Sequence, residues 1–240
     1  DFYGMTVMPQ PDFWLGLLWV FYIREPLAKV MLRRSHNQFH RGFGVYGKVE
    51  VQLIFSYDGR YWLRAPGRQP FIPWGERGAF DGGSVYTANA PVEHGDDLYF
   101  YYSGTLTEHG DGKHAELHTA ADGSTRQAGI GLATIKRDRY ASFSADGDGL
   151  LEVDHGPLTG GQLSVNAYCP HGFIKAELAG LDGQTLPGFE AEACLPFTGD
   201  ATAGSLRWRE ADLAQLADGR EVLIRFHMYN ADLFAYEIGV

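Results

Sequence analysis

Two carboxylates stand where the sequence could support acid–base chemistry. Glu50 lies between Val49 and Val51 in an alternating run, and Asp81 precedes two glycines. Acid–base hydrolysis needs one carboxyl group that donates a proton and a second one that acts as nucleophile or base. We predict Glu50 as the proton donor and Asp81 as a residue that fixes hydroxyl groups of a ligand. Structural roles compete with both: the alternation favours a Glu50 that faces solvent or a neighbouring sheet, and Asp81-Gly-Gly is typical of a turn.

Aromatic, amide and imidazole side chains near the same segments could bind a ligand. Tyr3 stands close to the first apolar run, Tyr86 and Asn89 follow Asp81, and His109 follows the next strand-like run. An aromatic ring offers an apolar face, and a neutral imidazole donates or accepts one hydrogen bond. Strand and turn punctuation in these segments is typical of β-propeller blades, in which inner-strand starts and second-strand ends meet at the hub. We therefore predict these four residues as ligand-binding residues, and we expect Tyr3, Asp81, Tyr86 and His109 to converge on one polar cleft. The position of His109 at the hub is what the resemblance named below implies.

A metal site is the alternative for the histidine-rich segment Thr105–Arg126. His114 and His118 would share a face if this segment formed one helical turn, which is how some zinc sites are framed. No third ligand is evident from the sequence, so we expect a hydrated, mobile loop without a tight metal. Asp146-Gly-Asp148-Gly lacks the glutamate that an EF-hand requires, because its twelfth position is Pro157, and we predict a turn there. We therefore predict neither a metal nor a cofactor.

The elements that must position these residues are predicted to be β-strands throughout. Apolar runs of strand length recur between turns rich in Gly, Asp, Asn and Pro, and long helical periodicity is largely absent. Phe13–Ile23 and Lys48–Ser56 share length and alternation, so we expect them to pair side by side and antiparallel. Glu210–Ala217 is predicted as a short helix or as a turn leading to Asp218-Gly219. The other predicted strands are Tyr3–Pro9, Val85–Val92, Asp97–Gly104, Gly129–Lys136, Gly149–Val153, Gln162–Ala167, Ile174–Leu178, Ser205–Trp208, Glu221–Tyr229 and Leu233–Ile238.

A change in strand length and turn type along the sequence predicts two domains. Residues 1–64 and 81–139 form a weak internal repeat of three-strand units, whereas short alternating strands separated by Asp-Gly turns follow Tyr140. This pattern of short strands and Asp-Gly turns is typical of an antiparallel β-sandwich of about one hundred residues. We place the boundary between 143 and 144, which gives domains 1–143 and 144–240.

Three short motifs resemble the five-bladed β-propellers of glycoside hydrolase families 32 and 43. They are Ser56-x-Asp58-Gly59-x-x-Trp62, Asp81-Gly-Gly and Tyr101-Tyr102-x-Gly104. The resemblance implies an all-β chain made of a partial propeller of about two blades followed by a β-sandwich. It also implies a carbohydrate ligand and main catalytic carboxylates on preceding blades. A bacterial origin is implied by further stretches that resemble bacterial proteins related to family 32, namely Gly129–Tyr140, Leu186-Pro187-Gly188-Phe189 and Arg207-Trp208. Because a propeller closes with about four blades or more, we expect three blades before Asp1 and regard the chain as a fragment.

Composition excludes some classes of binding partner but does not identify one. With 30 acidic and 20 basic residues the net charge is −10, so nucleic acid is not expected. The most apolar run, Phe13–Ile23, is too short for a membrane-spanning helix. Two cysteines in 240 residues are more often free and buried than paired, which leaves the compartment open between cytoplasm and cell exterior.

Two functional hypotheses follow for the whole protein. In the first, the chain is the C-terminal portion of a glycoside hydrolase-like protein that acts on or binds glycans, and this portion alone is inactive. In the alternative, the same scaffold serves a non-catalytic carbohydrate-binding or interaction protein, since a fold does not fix an activity.

Overall fold

The protein is described by a computed structural model over residues 1–23, 47–109 and 128–239. These residues form fourteen strands in three antiparallel sheets and no α-helix, which confirms the all-β prediction. The chain divides into two compact units, residues 1–134 and 135–240. No helix within the described ranges has the length and apolar character needed to cross a membrane.

The first sheet is an antiparallel meander of four strands, with a short fifth strand that pairs back with the third. It contains β1 (Phe2–Pro9), β2 (Trp14–Ile23), β3 (Gly47–Ser56), β4 (Leu63–Arg64) and β5 (Pro70–Ile72). β2 and β3 pair antiparallel from Trp14 opposite Ser56 to Ile23 opposite Gly47, which confirms the predicted pairing. One face of this pair buries Leu18, Val20 and Ile54 beneath Trp62.

The second sheet is smaller and contacts the first within the same unit. It contains β6 (Ser84–Thr87), β7 (Val92–His94), β8 (Asp97–Thr105) and β9 (Ala128–Lys136), and β8 pairs with the other three strands. The predicted strand Val85–Val92 is wrong in extent, because the backbone bends at Asn89 and Pro91 cannot donate to a ladder. The backbone N–H of Val49 donates to Ser84 Oγ at 3.1 Å, which joins β3 to β6.

The second unit is built on one sheet of long strands. Its order is β10 (Phe143–Pro157), β14 (Glu221–Gly239), β11 (Gln162–Ala179), β13 (Phe197–Trp208) and β12 (Cys194–Leu195). One face carries the core, whose fully buried side chains include Phe226, Ile224, Ile174 and Leu178. Cys169 and Cys194 are buried in this core and unpaired, as their number predicted.

The second unit has long strands where several shorter ones are predicted, because residues that look like turns in the sequence lie in β-bulges within the strands. The turn predicted at Asp146-Gly147 is wrong: both residues lie inside β10, where the register with β14 shifts between Ala145 and Asp148. β11 shifts register against β14 between Tyr168 and Phe173. Gly147 has φ +92° and Asn230 has φ +42°, conformations that suit a bulge and not only a hairpin.

The segment predicted as a short helix or turn forms a single 3₁₀ turn, Leu213–Leu216. Asp212 caps it, since its carboxylate accepts a hydrogen bond of 3.1 Å from the backbone N–H of Ala214. The predictions for His114 and His118 lie outside the described residues.

Candidate functional site

Five rings meet between the two sheets of the first unit, and we call them the aromatic cluster: Tyr3, Trp19, Phe21, Tyr86 and His109. The Tyr3 ring lies 4.9 Å from the His109 ring and 5.9 Å from the Tyr86 ring, centroid to centroid. Phe21 contacts His109 at 5.1 Å, and Trp19 contacts Tyr86 at 5.7 Å, both edge to face. Tyr3 is 49 % exposed, so the cluster is open to solvent on one side.

A hydrogen bond fixes the polar end of the cluster. The Tyr86 hydroxyl lies 3.2 Å from His109 Nδ1. Burial, and then the neighbouring Tyr3, raise the pKa of Tyr86 above its ordinary value of 10.0, so this hydroxyl stays neutral. Because Nδ1 is occupied, Nε2 is the imidazole nitrogen that can donate to or accept from a ligand.

Strand pairing places the rings on one face. Trp19 and Phe21 are two residues apart on β2 and therefore point to the same side. Trp19 Nε1 donates to Thr87 Oγ1 at 3.1 Å, which ties β2 to β6. A Cβ at Gly4 would lie 2.9 Å from the Trp19 ring, so glycine there lets the indole lie against β1.

Backbone pairing holds His109 in place. Its N–H donates to the carbonyl oxygen of Gly47 at 2.8 Å, and the N–H of Gly47 donates back at 3.2 Å. A Cβ at Gly47 would lie 2.0 Å from the carbonyl oxygen of Tyr22, so the close approach requires glycine. The imidazole is thus anchored to the start of β3.

Glu50 lies in a separate buried network. Its carboxylate accepts a hydrogen bond of 2.8 Å from the Tyr22 hydroxyl and another from the Gln52 amide. Arg64 donates to the other end of the same amide, with Nε at 2.9 Å. Burial, and then the hydrogen bond to Glu50 and its charge, raise the pKa of Tyr22 above 10.0. The network around Glu50 therefore joins β2, β3 and β4, and the Glu50 carboxylate is occupied by protein donors.

Asp81 is held on the opposite face of the second sheet from Tyr86. The Tyr102 hydroxyl donates to Asp81 Oδ2 at 2.8 Å. Tyr102 pairs with Thr87 across β6 and β8, whereas Tyr86 pairs with Ser103, so Tyr102 and Tyr86 point to opposite faces. A Cβ at Gly104 would lie 2.5 Å from that of Asp81, which shows how tightly this carboxylate is packed.

The sequence-predicted residues therefore separate into three places. Tyr3, Tyr86 and His109 meet in the aromatic cluster, Asp81 binds Tyr102, and Glu50 binds Tyr22 and Gln52. Asn89 is exposed in the bend after β6. The expected cleft thus contains three of its four residues, because Asp81 points away from it.

Sequence reasoning missed the contribution of β2 to the cluster. The apolar run Phe13–Ile23 predicts a buried strand and was assigned no chemistry, although Trp19 and Phe21 alternate along it. The alternation together with the predicted pairing to β3 was the signal that could have identified this aromatic face.

No metal site accompanies these residues in the part of the chain that is described, where no three His, Cys, Asp or Glu side chains group closely enough to hold an ion. Comparison of the sequence with models of known protein families found no match, and no curated protein matches it. The resemblance to glycoside hydrolases is therefore a prediction that depends on the motifs themselves.

Proposed function

We propose that the chain is a glycan-binding portion of a glycoside hydrolase-like protein and that the aromatic cluster contacts the sugar. The observation that carries the proposal is the half-exposed Tyr3 ring beside the hydrogen-bonded pair Tyr86 and His109. Sugar binding uses an apolar ring for the carbon face and a few directed polar groups for the hydroxyls. The cluster offers both within a few ångströms.

The architecture of the parent protein belongs to the same proposal. Each sheet of the first unit has four or five antiparallel strands, which is compatible with propeller blades. In the first sheet β1 to β4 pair in sequence order, and in the second sheet β8 pairs with the other three strands. We propose that they are two blades of a glycosidase-type propeller and that the second unit is the accompanying β-sandwich. In that arrangement, Tyr3 on β1 and Tyr86 on β6 lie on the innermost strands of successive blades.

The environments of the two carboxylates favour binding over catalysis by this portion. Glu50 is 5 % exposed and Asp81 is 8 % exposed, and each accepts hydrogen bonds from neighbouring protein groups. Glycoside hydrolysis needs two carboxyl groups flanking one bond, about 5–5.5 Å apart for retention and farther apart for inversion. We propose that the catalytic carboxylates of the parent protein lie elsewhere, and that Glu50 and Asp81 stabilise the blades.

Native gel electrophoresis in the presence of polysaccharide tests the proposal. Gels cast with soluble inulin and with linear arabinan should retard the purified chain, because these are the glycans that invertase-type and arabinanase-type proteins would bind. Tyr3→Ala should remove most of the retardation, and His109→Ala should weaken binding by about tenfold through loss of one directed hydrogen bond.

Tyr61→Ala is the matched control, since Tyr61 is 80 % exposed at the tip of the hairpin between β3 and β4. It should leave the retardation unchanged. If the wild-type chain migrates equally in gels with and without glycan, the proposal is wrong. Hydrolysis of aryl glycosides by the purified chain, lost in Glu50→Gln or Asp81→Asn, would contradict the assignment of structural roles to these carboxylates.

A further inference from the structure

The second unit has a sheet face that its core does not use. We call it the outer face: the side of β10, β14 and β11 opposite Phe226 and Ile224. Cross-strand pairing arranges its side chains in rows of three. The row nearest the bulges is Asp148, Tyr229 and Phe173, the next is Leu150, His227 and Lys175, and the third is Glu152, Arg225 and Glu177.

The third row is closed by its own ion pairs. Arg225 donates to Glu152 Oε2 at 2.6 Å, to Glu177 Oε1 at 2.8 Å and to the carbonyl oxygen of Gly183 at 3.2 Å. Thr185 donates to the same Glu177 oxygen at 2.9 Å. These groups are satisfied within the protein, so the row forms a fixed border of the face.

The first row presents an aromatic surface. The rings of Phe173 and Tyr229 lie 5.9 Å apart with planes inclined by only 20°, and Tyr229 is 39 % exposed. Lys175 Nζ lies 5.3 Å from the centre of the Phe173 ring. A cavity of about 450 Å³ opens against this surface, with His227 and Glu192 in its wall.

Beyond the bulges the outer face continues and borders a second cavity. Ser144, Asp232 and Tyr168 form the next row beyond the bulges, and Tyr168 is 45 % exposed. This row borders a cavity of about 520 Å³ that His171 also lines. Among the described residues, neither the Tyr168 hydroxyl nor the His171 ring has a partner, so both can serve a ligand.

The charges of the outer face disfavour an anionic ligand. Its charged side chains are Asp148, Glu152, Glu177 and Asp232 against Lys175 and Arg225, so acidic groups outnumber basic ones. Arg225 binds Glu152 and Glu177, and Asp232 accepts hydrogen bonds from Ser142 and Ser144. A neutral polyhydroxylated ligand both donates and accepts hydrogen bonds, and it can use such a surface where a polyanion meets repulsion. Exposed aromatic rings on either side of the bulges, Tyr229 and Tyr168, supply the apolar contacts.

We propose that the outer face is a second carbohydrate-binding surface, which holds a neutral polysaccharide chain across Phe173, Tyr229 and Tyr168. Two cavities along one face suit an extended chain of several sugar units better than a monosaccharide. This surface is independent of the aromatic cluster, since every residue in it belongs to the second unit.

The test is native electrophoresis of the full chain in gels that contain soluble β-glucan, arabinoxylan, arabinan or inulin, with polygalacturonate as the anionic comparator. We expect retardation by at least one neutral polysaccharide. Tyr229→Ala and Tyr168→Ala should each weaken it by about tenfold, as expected for loss of one stacking ring. Lys175→Gln, which removes a charge without opening the core, should weaken it less.

The variants distinguish this surface from the aromatic cluster. Retardation that Tyr229→Ala and Tyr168→Ala reduce but Tyr3→Ala leaves unchanged supports the outer face alone. Retardation that only Tyr3→Ala reduces overturns this inference and leaves the proposed function standing. Retardation by polygalacturonate alone, or no retardation by any neutral polysaccharide, also overturns it. Near-ultraviolet circular dichroism checks that each variant is folded, and Tyr61→Ala serves as the neutral control.

Discussion

Glu50 and Asp81 illustrate how burial alone does not identify a catalytic carboxylate. Both are more than nine-tenths buried, and each accepts a hydrogen bond from a tyrosine hydroxyl of another strand. A general acid needs a carboxyl group that can reach a ligand, whereas these two hold strands together. Tyr3, which is 49 % exposed, and His109, which binds Tyr86 through Nδ1, are therefore better placed to meet a ligand.

The pair of Tyr102 and Asp81 predicts a pH-dependent stability at the alkaline end. Burial, then the hydrogen bond to Asp81 and its negative charge, raise the pKa of Tyr102 from 10.0 to about 12. The neutral hydroxyl is thus favoured in the folded state, so its contribution is complete below pH 10 and is lost as the pH rises from 10 to 12. Tyr102→Phe should lower the free energy of unfolding by about 1 kcal/mol at neutral pH.

Urea unfolding across this pH interval measures the effect. The difference between wild type and Tyr102→Phe should shrink as the pH rises from 10 to 12. Tyr101→Phe is the matched control, because Tyr101 is 44 % exposed on the same strand. A constant difference at every pH would contradict the assignment of the raised pKa to this hydrogen bond.

Glu177 predicts the opposite dependence at the acidic end. Burial alone would raise the pKa of Glu177, but hydrogen bonds from Arg225 and Thr185 outweigh it and lower the pKa below its ordinary 4.5. Its contribution is therefore complete above pH 4.5 and is lost as the pH falls through the folded pKa. Glu177→Gln should cost about 1 kcal/mol at neutral pH after allowance for solvent screening.

The measurement is again urea unfolding, now from neutral pH downward. Wild type and Glu177→Gln should approach each other in stability below pH 4.5. Glu192→Gln is the control, since Glu192 is exposed and does not belong to the row of Glu152, Arg225 and Glu177. Equal pH profiles for wild type and Glu177→Gln would show that the carboxylate gains nothing from Arg225.

At the level of elements, the sequence predicted local pairing better than long strands. β2 and β3 were recognisable because both are apolar runs of similar length with matching alternation. β11 and β14 were each divided in two, since Pro170-His-Gly172 and Asn230 look like turns when only local propensity is considered. Their continuity depends on pairing with strands far away in sequence, and residue types alone do not contain that information. The separation of Asp81 from Tyr86 was missed for the same reason, because it depends on which face each residue takes.

The bulge at Gly147 gives a prediction at this scale. Gly147 has φ +92°, and no atom lies within 4 Å of the position that a Cβ would take, so a side chain there is opposed by backbone conformation and not by a clash. Gly147→Ala should lower the free energy of unfolding by about 1–2 kcal/mol. Gly239→Ala is the matched control, since Gly239 also has open space but no positive φ. Thermal unfolding monitored by circular dichroism measures both, and equal midpoints for the two variants would contradict the strain argument.

At the scale of the whole molecule, the two compact units bury separate sets of apolar side chains. The second unit buries Phe226, Ile224 and Leu178, whereas the first unit buries Leu17, Val49 and Val51. Units with their own cores commonly unfold as separate cooperative transitions. We therefore expect each unit to unfold with its own free energy of unfolding.

Phe226→Ala tests this independence. Phe226 is fully buried, and its truncation should cost the second unit about 3–5 kcal/mol. Hydrogen exchange followed by mass spectrometry reports each unit through its own peptides, so faster exchange should appear in residues 135–240 and not in residues 1–134. Val51→Ala, a truncation of a fully buried side chain in the first unit, should give the reverse pattern. If either substitution accelerates exchange equally in both units, the chain unfolds as one cooperative body, and a ligand bound at the aromatic cluster would then stabilise the outer face as well.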